Sequence, residues 1–102
     1  MTLPTSKYLL RLYITGNSPN SQRAITNLLR ICKEELNDLY KVEIIDVLEQ
    51  PQAAEDEKIV VTPTLIKRLP PPLQRIIGDL SNKEKVLLGL DMVADELSDR
   101  NR

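Results

Sequence analysis

A chain of 102 residues, 41% hydrophobic and 28% charged, has material for one modest core, which excludes both a two-domain arrangement and a wholly disordered chain. Lys and Arg total 14 and Asp and Glu total 15, so the net charge of -1 excludes the basic excess of a nucleic-acid binder. With no histidine and a single cysteine, the chain has no internal disulfide, no C-x-x-C redox pair and none of the side chain best suited to proton transfer near neutral pH, so neither catalysis nor a cofactor is expected.

The opening Met1-Thr2-Leu3-Pro4-Thr5-Ser6-Lys7 lacks the apolar centre of a signal sequence. No apolar run approaches the width of a bilayer. The expectation is a cytoplasmic protein with no membrane span. Residues 7–14 then read as a strand, with Tyr8, Leu10, Leu12 and Ile14 on one face and Leu9, Arg11 and Tyr13 on the other. Both faces are largely apolar, which suits a central strand covered on two sides.

Gly16-Asn17-Ser18-Pro19 ends that strand and starts a helix over roughly 19–36, with Ser18 as N-cap and Pro19 at the first helical position. Ile25, Leu28, Leu29, Cys32 and Leu36 fall at helical spacing, so Cys32 reads as a small core residue. Tyr40 to Leu48 forms a second β-rich run, completing a β-α-β unit whose strands lie parallel.

Pro51 opens a short polar helix that reaches Lys58. Its Glu55-Asp56-Glu57 run reads as a solvated face, because no coordinating loop pattern accompanies it and no metal site is expected. Residues 59–66 look like a strand by β-branching, and Pro63 within them must lie at a strand start or a bulge. Pro70-Pro71-Pro72 is a rigid break, 73–77 an edge strand and Gly78-Asp79 a turn. Ser81 and Glu84 have capping-box spacing for a last helix to about Leu97, and residues 98–102 should fray. Val86 to Leu90 suits helix or strand, since Gly89 costs about 1 kcal/mol relative to Ala inside a helix.

The order β-α-β-(short α)-β-β-α, with Thr62-Pro63-Thr64-Leu65 entering the third strand, resembles thioredoxin, in which the matching proline is cis and faces the active cysteines. Here the loop Gly16-Asn17-Ser18-Pro19-Asn20-Ser21 holds no cysteine. A fold kept without its thiols keeps a binding surface and loses the redox reaction.

Several motifs carry a nearer resemblance. Leu12-Tyr13-Ile14-Thr15-Gly16-Asn17-Ser18-Pro19, Ile45-Asp46-Val47-Leu48, Glu57-Lys58-Ile59, Leu69-Pro70-Pro71-Pro72, Ile76-Ile77-Gly78-Asp79-Leu80-Ser81 and Glu84-Lys85-Val86-Leu87-Leu88-Gly89-Leu90-Asp91 resemble the KaiB family in order and spacing. The match runs from about Lys7 to Leu97. The resemblance implies a non-enzymatic clock adaptor that binds the ring of the KaiC ATPase, captures KaiA and opposes KaiC phosphorylation. It also implies two folds for one sequence: an invariant half over 7–48, and a half over 50–97 that is arranged differently in a resting tetramer or dimer.

Arg23, Lys58, Lys67 and Arg75 match basic positions of the family, where the resemblance implies contact with an acidic partner surface. Pro63, Pro70, Pro71, Pro72, Gly89 and Asp91 are the residues expected to govern the switch, because prolines restrict the backbone and Gly89 weakens the last helix. Ala94 stands where KaiB proteins commonly carry an aromatic, and the segment after Leu97 is short, which implies altered tetramer packing or partner choice. Two other readings compete: a KaiB-like stress-adaptation protein, and a redox-inactive sensor module resembling the N-terminal domain of the histidine kinase SasA. A redox enzyme acting through Cys32 alone is the third class, and it predicts a reactive thiol.

Overall fold

A computed structural model describes residues 7–37 and 39–90. It forms a four-stranded sheet in the order β2-β1-β3-β4, with three helices. β1 (Tyr8–Ile14) lies between β2 (Tyr40–Asp46), to which it runs parallel, and β3 (Thr64–Leu69), to which it runs antiparallel. Its two apolar faces explain that interior place. β4 (Gln74–Ile77) pairs antiparallel with β3 and is an edge, as the run after the prolines predicts.

α1 (Pro19–Glu35) starts as expected: the Ser18 hydroxyl oxygen accepts from the Ser21 N–H at 3.2 Å. Its buried stripe is Ser21, Ala24, Leu28, Ile31 and Cys32, so Ile31 takes the inward place expected of Leu29, which is 44% exposed. The helix ends at Glu35 with Leu36 as its C-cap, followed by Asn37 in the left-handed region at φ 53°. β2 stops at Asp46, two residues short of Leu48, because Asp46 Oδ1 accepts from both the Gly16 and Leu48 N–H groups at 3.0 Å each and turns the chain.

α2 (Pro51–Asp56) is six residues long and buries none of them. The strand expected over 59–66 instead runs 64–69. Pro63 cannot donate to a ladder, and the Thr64 hydroxyl donates to the Val61 carbonyl at 2.6 Å, which holds residues 61–64 as a turn. Pro63 therefore sits just before the strand, after a cis peptide bond, as its place in a thioredoxin-like order implies. α3 (Lys83–Gly89) is capped by Asn82, whose side chain accepts from the Lys85 N–H at 3.0 Å. Ser81, to which the capping-box spacing assigns the cap, lies one residue before it, with its N–H drawn to Asp79 Oδ1 at 3.1 Å. The expected continuation to Leu97, with Asp91 and Ala94, lies outside the described residues.

The core occupies one face of the sheet. Leu10, Leu12 and Leu65 meet Leu28 and Ile31 of α1 and Val86 of α3 there, all at most 2% exposed. Burying each such side chain contributes about 1.5–3 kcal/mol. Gly89 serves this packing: a Cβ on it would lie 2.6 Å from Ile76 Cδ1 and 3.1 Å from Cγ1, so the missing side chain lets α3 approach β4. The opposite face buries Tyr13 and Ile66 and carries the ion pairs Arg11–Glu43 and Arg68–Glu57. No described helix is long and apolar enough to cross a membrane.

Candidate partner-binding surface

The ends of β1, β2 and β4 and the start of β3 bring four loops to one end of the sheet. Thr15 and Ser21 build the first loop. The Ser21 hydroxyl accepts from the Thr15 N–H at 3.0 Å and from the Ser18 hydroxyl at 2.8 Å, so the turn closes on itself through a buried polar side chain. Thr15 and Thr62 join this loop to the one before β3 by a hydroxyl–hydroxyl bond. An open depression lined by Thr15, Ser18, Pro19, Asn20, Arg23 and Thr62 lies over the junction.

This is where thiols sit in a redox-active relative of the fold, and the loop has none. Cys32 is buried well along α1, and burial pushes its thiol from 9.0 up to about 12. At neutral pH it is protonated and enclosed. The depression presents the hydroxyls of Thr15, Ser18 and Thr62, the Asn20 amide and the Arg23 guanidinium.

The four basic residues separate. Arg23 is exposed on α1 and donates to Asn20 Oδ1 and, at 3.4 Å, to Asp79 Oδ2. Asp79 is held below its ordinary value, first by the Ser81 hydroxyl, with smaller help from the Ser81 N–H and Arg23. Lys58 and Arg75 come together on the other face. Arg75 Nη2 donates to the Glu57 carbonyl at 2.9 Å and Nη1 to the Lys58 carbonyl at 3.5 Å, while Lys58 is exposed at φ 57°.

Lys67 departs from expectation. It lies on interior strand β3, on the face of Leu65, with Leu10 and Gln74 as register neighbours, and is 2% exposed. In this arrangement nearly all of its side chain is enclosed. Among the acidic run, Glu57 is paired with Arg68 and Asp56 accepts from Gln52, so the carboxylates are turned to separate partners. Among the described residues no group of His, Cys, Asp or Glu converges on a metal position.

The residue reading missed the apolar part of this surface. Val60 is 91% exposed, and Leu48, Val61 and Ile77 are also exposed at this end of the sheet. Leu48 stands against the Gly16 turn and Ile77 pairs with Thr64, so the four flank the Thr15–Thr62 junction. Large apolar groups gathered beside basic ones mark an interaction surface more strongly than charges alone. A strand over 59–66 would include Val60 and Val61; because β3 starts at Thr64, both lie outside it and are exposed.

The family model for the KaiB domain matches residues 11–92. The chain belongs to the KaiB family. Its sequence is 72% identical over 95 residues to the circadian clock protein KaiB3 of Synechocystis sp., covering 93% of each chain. Among solved structures, this KaiB-family fold is similar to the N-terminal domain of SasA from Synechococcus elongatus, at 28% identity and a TM-score of 0.65 over 95% of this chain and 85% of that one. It is also similar to mitochondrial thioredoxin 3 of Saccharomyces cerevisiae, at 17% identity and a TM-score of 0.68 over 86% of this chain and 80% of that one, which shows the fold alone. The KaiB-family chain is thioredoxin-like in architecture, as its element order predicts.

Proposed function

We propose that this protein is a non-enzymatic clock adaptor in the cytoplasm that docks on a KaiC-type ATPase through the open end of its sheet, sequesters KaiA and so promotes KaiC dephosphorylation. Its similarity to a circadian clock protein over 93% of both chains is the observation that carries this reading. The surface supports it: exposed Val60, Val61 and Ile77 supply apolar area, and Lys58, Arg75 and Arg23 supply charge for steering toward an acidic partner. Lys67 belongs to the set only in another arrangement of the chain.

The proposal includes a second arrangement of residues 50–97 in a resting homo-oligomer, tetramer or dimer. Pro63 and Pro70 to Pro72 limit the backbone there, Gly89 lies in the stretch that suits helix or strand, and Asp91 directly follows that stretch. Mixing the purified protein with a KaiC-type ATPase and ATP, and following the mixture by size exclusion, tests the adaptor role. A slowly forming complex that recruits KaiA is the expected outcome. Absence of any complex after a day removes the proposal.

The likeness to the SasA N-terminal domain favours one other reading, a redox-inactive sensor module in a histidine-kinase pathway. Binding to such a kinase with the ATPase absent distinguishes it.

A further inference from the structure

The sheet has two lateral edges, and they are built differently. β4 is four residues long and follows Pro70 to Pro72, a short, proline-flanked form that resists further pairing. β2 is seven residues long, holds no proline or glycine, and pairs with β1 in one unbroken parallel register. The Val47 N–H bonds to the Ile14 carbonyl and the Leu39 carbonyl accepts from the Tyr8 N–H, so the odd-numbered residues here spend their backbone groups on β1. By alternation, Tyr40, Val42 and Ile44 turn their N–H and C=O groups to the open side.

Apolar side chains accompany that edge on the core face. Ile44 is 40% exposed, and Tyr40 and Val42 are half-buried beside it. On α1, Arg23 and Asn27 lean toward Asp79 ahead of α3, so the opposite flank, which carries Ile25 and the exposed Leu29, turns toward β2. On the other face of β2, Lys41 is exposed and Glu43 meets Arg11 through Oε1. A carboxylate has two oxygens and accepts from a second cation as well.

These residues are their own complement. A second copy laid antiparallel on β2, about a two-fold axis through Val42, sets Val42 against its equivalent, Tyr40 against Ile44 and Lys41 against Glu43, the last two twice over. The outward backbone groups of Tyr40, Val42 and Ile44 then meet as hydrogen-bonded pairs. Lys41 and Glu43 fall at the closer, non-hydrogen-bonded positions, where opposite charges attract and like charges repel most. Moving the axis to Ile44 sets Val42 against Asp46 and Glu43 against Ile45, which loses the charge pairing.

We propose that this chain forms a two-fold symmetric dimer through β2, joining two four-stranded sheets into one continuous sheet. The pairing uses only residues before Leu48. It is independent of the docking reading and of a second arrangement of residues 50–97.

Sedimentation velocity on the full chain, with no ATPase present, tests it. Monomer and dimer should exchange with a dissociation constant on the order of 10 μM, as suits a small interface. Lys41→Glu and Glu43→Lys should each weaken association about tenfold or more, because each sets like charges opposite one another. An equimolar mixture of the two variants should regain association as a heterodimer, the outcome specific to this register. Val42→Pro removes an N–H that β1 does not use, so it should abolish the dimer and keep the sheet; it serves as the further variant if Glu43→Lys disturbs Arg11. Exchange of the Tyr40, Val42 and Ile44 amides should slow as protein concentration rises. A chain still monomeric at about 1 mM, an oligomer indifferent to Lys41→Glu and Val42→Pro, or folded variants that do not pair when mixed would each overturn the proposal.

Discussion

Gly89 stands against Ile76 so closely that a Cβ added at 89 would lie 2.6 Å from Cδ1, the movable tip of that side chain, and 3.1 Å from Cγ1, which would have to give way. Helix propensity alone makes Gly89→Ala stabilising for α3 by about 1 kcal/mol. Overpacking against a β-branched neighbour costs about 1–3 kcal/mol and outweighs that gain. Gly89→Ala should therefore lower stability of this fold in urea unfolding. Ile76→Val removes the methyl that is struck, so the double variant should recover about 1 kcal/mol relative to the sum of the singles. Additive effects would show that Ile76 yields freely.

Cys32 should resist a maleimide reagent in the folded protein and react once the chain is unfolded in urea. The pH dependence follows from the same burial. An unfolded thiol ionises near 9.0 and the folded one at about 12, so the contribution to stability is complete below about pH 9 and is lost as pH rises from there toward 12. Lys83 titrates in the alkaline range too, its value raised first by Glu35 and then by Glu34, and stability from that cluster likewise falls as pH rises through it. Comparing the alkaline slope of the native chain with that of Cys32→Ala isolates the thiol; identical slopes would contradict its burial.

Asp79 should titrate below the usual carboxylate range when followed by side-chain carboxyl NMR shifts. Its depressed value contributes stability above the unfolded pKa, and that contribution disappears as pH falls through the folded one. Ser81→Ala should raise the value more than Arg23→Gln does, since the Ser81 hydroxyl is the larger influence. The reverse ranking would place the guanidinium first.

Val60→Asp should leave folding within about 0.5 kcal/mol of the native chain, because the side chain is almost wholly exposed. If the open end of the sheet is the docking surface, the same change should weaken complex formation with the ATPase about tenfold or more. Lys58→Glu should slow association most at low salt. Lys67→Gln should act on stability instead. Unaltered binding by Val60→Asp and Lys58→Glu together would move the interface elsewhere.

The parts of the fold legible in the residues are those with a periodicity and a boundary signal together. β1 has two apolar faces and a Gly16-to-Pro19 stop, and α1 has its cap at Ser18; both lie where the pattern puts them. The misplacements share one cause. β3 begins five residues later than its β-branched run predicts, because β-branching marks strand composition and not strand start, whereas Pro63 and the Thr64–Val61 bond decide the start. That shift alone hid the exposure of Val60 and the interior position of Lys67. A charged residue reads as surface until an interior strand fixes its direction, and the long methylene stem of lysine tolerates the burial. Leu29 and Ile31 exchanged roles because an apolar residue stands at each of 28, 29 and 31, so the stripe has no unique phase.

Asp46 Oδ1, by holding the N–H groups of Gly16 and Leu48 at once, makes the turn after β1 and the turn after β2 a single mechanical unit. A molecule that immobilises one turn quiets the other without touching it, so the second set of contacts forms with less entropy left to lose. Asp46→Ala would uncouple the pair, and each turn would then have to be stilled separately.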